Sequence, residues 1–251
     1  MNIVDKSEYD TGMKQVEKLL NKEKYSDALV ILKGLLDKTA EENEYKADIL
    51  SKISEAYYGK EGVKTGNAIS NLIESLKIRT NLEQPEILAL EMMNLAYLQD
   101  EEGNLDNAKG TLKEAMEVAN QLEDISLTLS LKNALADILS EEKKDTEEAL
   151  KIYAEIMAES EKEKIWEIYY EACVSMIKLL RDREKMDEAN SISVENIEKA
   201  EKILTTFKTK KEKEEFRDVI SYLYDVSIDL AMENEDIGRA RDLAEKFKGE
   251  K

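Results

Sequence analysis

An all-α array of paired helices is the fold class that this chain of 251 residues predicts, and three observations carry it. Six alanines, Ala28, Ala68, Ala108, Ala149, Ala189 and Ala240, recur at intervals of 40, 40, 41, 40 and 51 residues, each just inside the start of an amphipathic helical pattern. One proline and nine glycines stand against 37% charged residues, a composition that suits helices and leaves little material for sheets or long loops. Turn signals such as Gly103-Asn104 then divide the helical patterns into pairs. A fixed period of this size marks units that cannot bury their apolar faces alone and must stack on their neighbours. The chain is read as one domain over 1–251.

Taken in order, the apolar periodicity predicts helices near 4–22, 25–39, 41–60, 65–82, 85–102, 105–122, 125–142, 146–162, 164–184, 186–208, 211–234 and 236–248. Val16, Tyr25, Leu32 and Leu35 surround Ala28; Ala56, Leu72 and Ser75 surround Ala68; Ala136, Tyr153 and Ile156 surround Ala149. Met176, Ile177, Met186 and Asn196 accompany Ala189, and Ile228, Ile237, Ala244 and Phe247 accompany Ala240. Pro85 fits the first turn of a helix, Asp106 is placed to cap the helix of Ala108, and Asp145 or Thr146 that of Ala149. Gly59, Gly62 and Gly66 read as a turn. The last interval is longer by about three helical turns, so an extension placed across Ile192 to Glu215 keeps its apolar face in phase.

The third unit is the clearest: Met92, Leu95, Ala96, then Gly103-Asn104, then Leu105, Ala108, Leu112 and Ala115. This order closely resembles the tetratricopeptide repeat, with Met92 at the family's first large aromatic and Leu112 at its later one. The resemblance implies a right-handed superhelical α-solenoid of about six helix-turn-helix repeats, or about 12 helices. Its period is about six residues longer than the usual 34 of the family. HEAT and armadillo arrays share a period of this length but do not predict the Leu95-Ala96, Gly103-Asn104 and Ala108 to Leu112 arrangement. Alanine belongs where the second helix of a pair crosses the first, because a larger side chain would push apart axes that sit about 8–10 Å from each other.

Charge narrows the partners. The net charge is −19, and residues 61–180 hold 25 acidic against 12 basic side chains. Such a field repels phosphates and anionic lipid and favours basic or neutral partners, so neither nucleic acid nor a membrane is expected. Cys173 is the sole cysteine and lies in an apolar helical stretch, which fits a reducing, cytoplasmic setting and a buried thiol. The first ten residues hold Asp5, Glu8 and Asp10 with no apolar core, so neither a signal peptide nor a membrane span is expected.

In the resembled family the first helices of the pairs line a concave groove, and the resemblance places the partner-contacting positions at Met13, Ile53, Tyr57, Met93, Tyr97, Asn133, Asp137, Val174, Lys178, Asp225 and Asp229. The first half of this set is rich in Met and Tyr, adaptable and amphipathic side chains, while the second half is polar and mostly acidic. The family's clamp for chaperone carboxylates is not expected, because Met13, Glu17, Ile53 and Met93 stand where its cations would, with Asn94 the one matching group.

With no histidine in the sequence, histidine-based triads, two-histidine zinc motifs and carboxylate-histidine di-iron sites are excluded. Glu141-Glu142 and Glu147-Glu148 are sequence neighbours that point to different sides of a helix. The acidic stretch Asp100 to Asp106 lacks the calcium-loop pattern, and the charged run Lys208 to Glu215 alternates in sign. Trp166, Tyr169 and Tyr170 are spaced as core residues. The expectation is a non-catalytic scaffold, without cofactor or metal, that binds a basic and apolar peptide or helix of a partner protein. The alternatives are a peptide- or ligand-responsive regulator and a self-assembling, homo-oligomeric scaffold, the latter from Ile237 and Phe247 in the last unit.

Overall fold

A computed structural model describes residues 5–62 and 65–248. Among them run twelve α-helices: α1 (Lys6–Leu20), α2 (Tyr25–Leu36), α3 (Glu44–Glu61), α4 (Gly66–Asn81), α5 (Pro85–Glu101), α6 (Leu105–Gln121), α7 (Ile125–Glu141), α8 (Thr146–Glu163), α9 (Trp166–Asp182), α10 (Met186–Leu204), α11 (Lys210–Glu233) and α12 (Ile237–Lys248). A short 3-10 turn, Lys143–Asp145, precedes α8. The fold is the all-α helix-pair array that the alanine spacing predicts. The chain divides into two compact units, 1–134 and 135–251.

All six spaced alanines are buried, each at the third or fourth residue of an even-numbered helix. That is the point where the second helix of a pair begins to cross its neighbours, and a methyl group is what close approach there tolerates. Gly59 plays the same part on α3: a Cβ at this position would meet the Tyr25 ring of α2 at 2.3 Å. It lies inside the helix, a close-packing residue, whereas the sequence reading placed it in a turn. Gly62, with φ +59, is the residue that ends α3.

Most inter-helix turns share one geometry. A single residue takes the left-handed conformation, and the next residue's N–H returns to the carbonyl five residues back: Lys24 to Leu19 at 2.9 Å, Gln84 to Arg79 at 3.2 Å, Asn104 to Gln99 at 2.8 Å, Ile165 to Ser160 at 2.8 Å, Lys185 to Leu180 at 2.9 Å and Asp236 to Ala231 at 2.8 Å. This bond satisfies carbonyls that a helix end otherwise leaves open. Gly103 is the glycine in this series; the other left-handed residues are Glu23, Glu83, Glu123, Lys164, Glu184 and Glu235.

Pro85 opens α5 as expected. Asp106 does not cap α6, whose N-cap is Asn104, and Asp145 stands at the N-cap of α8 without a side-chain cap bond. Thr209 caps α11 instead, through a reciprocal pair with Glu212. The extension expected across Ile192 to Glu215 falls in the two helices predicted near 186–208 and 211–234. Its residues are shared among α10, a break at 205–209 and α11, the longest helix, because Thr209 restarts the backbone ladder.

In unit 1 the apolar core is stitched by buried charge. Arg79 of α4, 3% exposed, donates to Glu91 of α5 at 3.4 Å, to Gln84 at 2.7 Å and to Asp48 of α3. Asp48 also accepts the Tyr9 hydroxyl at 2.6 Å, and the Ser75 hydroxyl lies between two acceptors, the Glu91 carboxyl at 2.7 Å and the Ala47 carbonyl at 2.9 Å. Burial holds the Glu91 carboxyl above the usual range, against the pull of Ser75 and Arg79.

Unit 2 is held by rings and short polar groups, joined by the half-buried Arg183, which donates to Thr146 and the Ser140 carbonyl, and Arg239, which donates to Asn190 and Ser193. Trp166, Tyr169, Tyr170, Phe216 and Phe207 form a chain of tilted and edge-on contacts at 4.9–5.9 Å between centroids. Tyr169 donates to Asn196 at 2.7 Å, and Ser193 to Ser227 at 2.8 Å. The Tyr170 hydroxyl is buried without a partner. Cys173 is fully buried, and burial pushes its thiol up to about 12.

Candidate partner-binding surface

Both units turn one row of an odd-numbered helix to solvent. On α5 the row is Ile87, Leu90, Asn94 and Tyr97, at i, i+3, i+7 and i+10, which lie on one face at 3.6 residues per turn. Ile87 is 40% exposed, Leu90 44% and Tyr97 37%, so the row is apolar and wet. Folding alone gives no reason to keep such side chains in water. Tyr58 at the end of α3, 39% exposed, extends the surface by donating its hydroxyl to the Glu101 carboxylate at the end of α5. That bond, ahead of burial, holds the Tyr58 phenol above its ordinary range.

The other sequence-derived positions of unit 1 lie elsewhere. Ile53 is buried at 2% exposure, in a cluster that Met13 and Tyr57 also pack against. Tyr57 is half-buried; its hydroxyl accepts from Lys33 of α2 at 2.8 Å, and the ammonium sits 5.2 Å from the ring centroid. Met93 is half-buried and Asn133 is buried. On α3 the exposed tyrosine is Tyr58, the neighbour of Tyr57, and one residue is about 100° of helix rotation. Tyr58 was missed, although its place beside Tyr57 was the signal that could have found it.

Unit 2 repeats the row with different chemistry. On α11 it reads Tyr222, Asp225, Asp229 and Met232, at the same i, i+3, i+7 and i+10 spacing, all exposed. On α9, Glu167, Glu171 and Lys178 are exposed, while Val174 is buried and packs inside. Asp137 of α7 is half-buried and accepts the Tyr153 hydroxyl at 2.6 Å. Partial burial first, then the nearby charges of Asp137 and Glu167, raises the Glu171 carboxyl above its usual range. Three carboxylates crowded in this way set up a local field that a cation would relieve.

No group of three or more His, Cys, Asp or Glu among the described residues is placed to hold a metal ion. No helix among them is long and apolar enough to cross a membrane. What the exposed rows can do chemically is bind, by apolar contact in unit 1 and by charge in unit 2.

The family profile of the SusR N-terminal TPR domain matches residues 1–124, a span that falls within unit 1. Among solved structures, the chain is similar to the nearly identical TPR-like repeats of a putative kinesin light chain from Podosopora anserina, with 14% identity, 76% of this chain and 93% of that one covered, and a TM-score of 0.62. It is similar to a Rap protein complexed with competence and sporulation factor, with 18% identity, 99% and 76% coverage and a TM-score of 0.63. BtubC (BKLC) from P. vanneervenii aligns at 16% identity, 98% and 92% coverage and a TM-score of 0.54. No curated protein matches.

Proposed function

The chain is a tetratricopeptide-type repeat protein, and from that premise we propose that it is a non-catalytic scaffold whose exposed odd-helix rows bind a peptide or helix of a partner protein. The observation that carries the reading is the wet apolar row of α5, continued by Tyr58, in a chain of net charge −19. An apolar anchor flanked by Lys or Arg suits the α5 row of unit 1 and, separately, the acidic rows of α9 and α11 in unit 2. Within the positions derived from the resemblance, Tyr97, Lys178, Asp225 and Asp229 are the exposed members, Met13, Tyr57, Met93 and Asp137 the half-buried ones. A ligand-responsive regulator is the second reading, favoured by the Rap protein, which shares the fold and is complexed with competence and sporulation factor. We further propose that residues 1–251 unfold as one domain; calorimetry giving two separate transitions would overturn that point.

Selection of random peptides on the whole chain tests the main reading. The expected binders combine apolar residues with Lys or Arg and lose at least about tenfold in affinity on the folded Leu90→Ser/Tyr97→Ser variant. Binders that are acidic, or that ignore this variant, would refute it.

A further inference from the structure

The far side of α5 carries a second feature. Leu88, Met92 and Leu95 lie roughly 150° around the helix from the Ile87 to Tyr97 row, at 3.6 residues per turn. They form the floor of a groove of about 490 Å³ whose walls are α4 and α6. Ile73 and Leu76 of α4 and Val118 of α6 complete its apolar lining. The α4 wall presents residues 73, 76, 77 and 80, the i, i+3, i+4, i+7 ridge of a helix. Over the lengths of wall involved, the groove runs about 10–15 Å, two to three helical turns.

The rim is charged and polarised. Lys77 stands on the α4 wall, Glu114 and Glu117 on the α6 wall, and among the described residues none of the three is in an ion pair. The groove over α11 in unit 2, about 540 Å³, differs in this respect. There Lys246 already pairs with Glu201 at 2.8 Å and Glu245 with Arg241 at 2.7 Å.

We propose that the α4–α5–α6 groove docks an amphipathic helix of a partner protein, its apolar row seated on Met92 and its flanks carrying Lys or Arg against Glu114 and Glu117 and an acidic residue against Lys77. A helix fits because the vacancy is bounded by helices whose ridges accept another ridge. An extended segment would find no free backbone groups on these walls to pair with its own. The surface is separate from the outer row of α5, so one unit holds two partners, or two segments of one.

Two dye-labelled synthetic helices of about 16 residues test this on the full chain by fluorescence anisotropy. Both carry the same Leu/Ile row; one has a Lys flank and a Glu flank, the other Glu on both flanks. The first binds about tenfold more tightly, and Glu114→Lys/Glu117→Lys reverses the order. Met92→Trp, which fills the floor, weakens both at least tenfold with helicity and urea midpoint unchanged. Should Met92→Trp fail to fold, Val118→Glu on the wall takes its place with the same expectation. Equal affinity for the two helices, no binding at their solubility limit, or indifference to the groove variants would overturn the proposal.

Discussion

The interiors of the two units are built on one helix pair and joined by different chemistry. Unit 1 buries Arg79, Glu91 and Ser75 together and reaches Asp48 and Tyr9 through the same network. Unit 2 buries Tyr153, Tyr169, Tyr170 and Cys173, with hydroxyl and amide groups where polar side chains enter and with Arg183 and Arg239 half-buried beside them. The repeat therefore dictates where helices cross, through its alanines, and leaves open how the remaining interior is satisfied. A buried ionic network contributes little net stability when complete and costs much when broken, whereas ring contacts and burial degrade gradually. Substitutions in the two interiors should consequently change the stability of the chain in different ways.

The sharpest break is expected at Arg79. Arg79→Met leaves Glu91 buried without its cation and should destabilise by about 3–5 kcal/mol, with amide exchange accelerating in α1, α3, α4 and α5. Unchanged exchange there would mean that the network contributes nothing to holding these helices. Gly59→Ala forces a methyl into the Tyr25 ring and should cost about 1–3 kcal/mol in urea unfolding. A neutral result would show that Tyr25 moves aside without loss. In unit 2 the sign reverses: Tyr170→Phe removes a buried hydroxyl that has no partner and should raise stability by about 1 kcal/mol. A loss of stability would reveal a partner for that hydroxyl.

The smallest effect separates the units by pH. Because the Glu91 pKa is raised in the folded state, folding takes up a proton as pH falls from that value toward the ordinary 4.5. The stability linked to this group is present in full below about 4.5 and is lost as pH rises through the folded value. The wild type should therefore gain on Glu91→Gln as the pH is lowered through that window, measured as urea midpoints of both proteins. A constant difference between the two would contradict a raised Glu91. No such term is expected from Cys173 between pH 5 and 8, since its thiol stays protonated in that range in both folded and unfolded chains.

Much of this architecture was legible in the residues. The alanine period located the even-numbered helices, and Pro85 located the start of α5, because both reflect steric limits that few residue types meet. The turns were harder to read. Glu23, Glu83, Glu123, Glu184 and Glu235 occupy left-handed positions where glycine is the usual signal, so no local preference announces them. The outer surface depended on rotation about each helix, where one residue separates the exposed Tyr58 from the half-buried Tyr57. The buried network was invisible for a related reason: Arg79 and Glu91 are charged residues that sequence alone assigns to a surface.

The central claim is that the apolar outer row of α5 serves recognition and not folding. Urea unfolding of Ile87→Ser/Leu90→Ser tests it most directly. The prediction is a midpoint within about 0.5 kcal/mol of the wild type, as for surface positions that support no core. A loss of more than about 2 kcal/mol, the scale of an emptied core position, would show that the row is packing and contradict the claim.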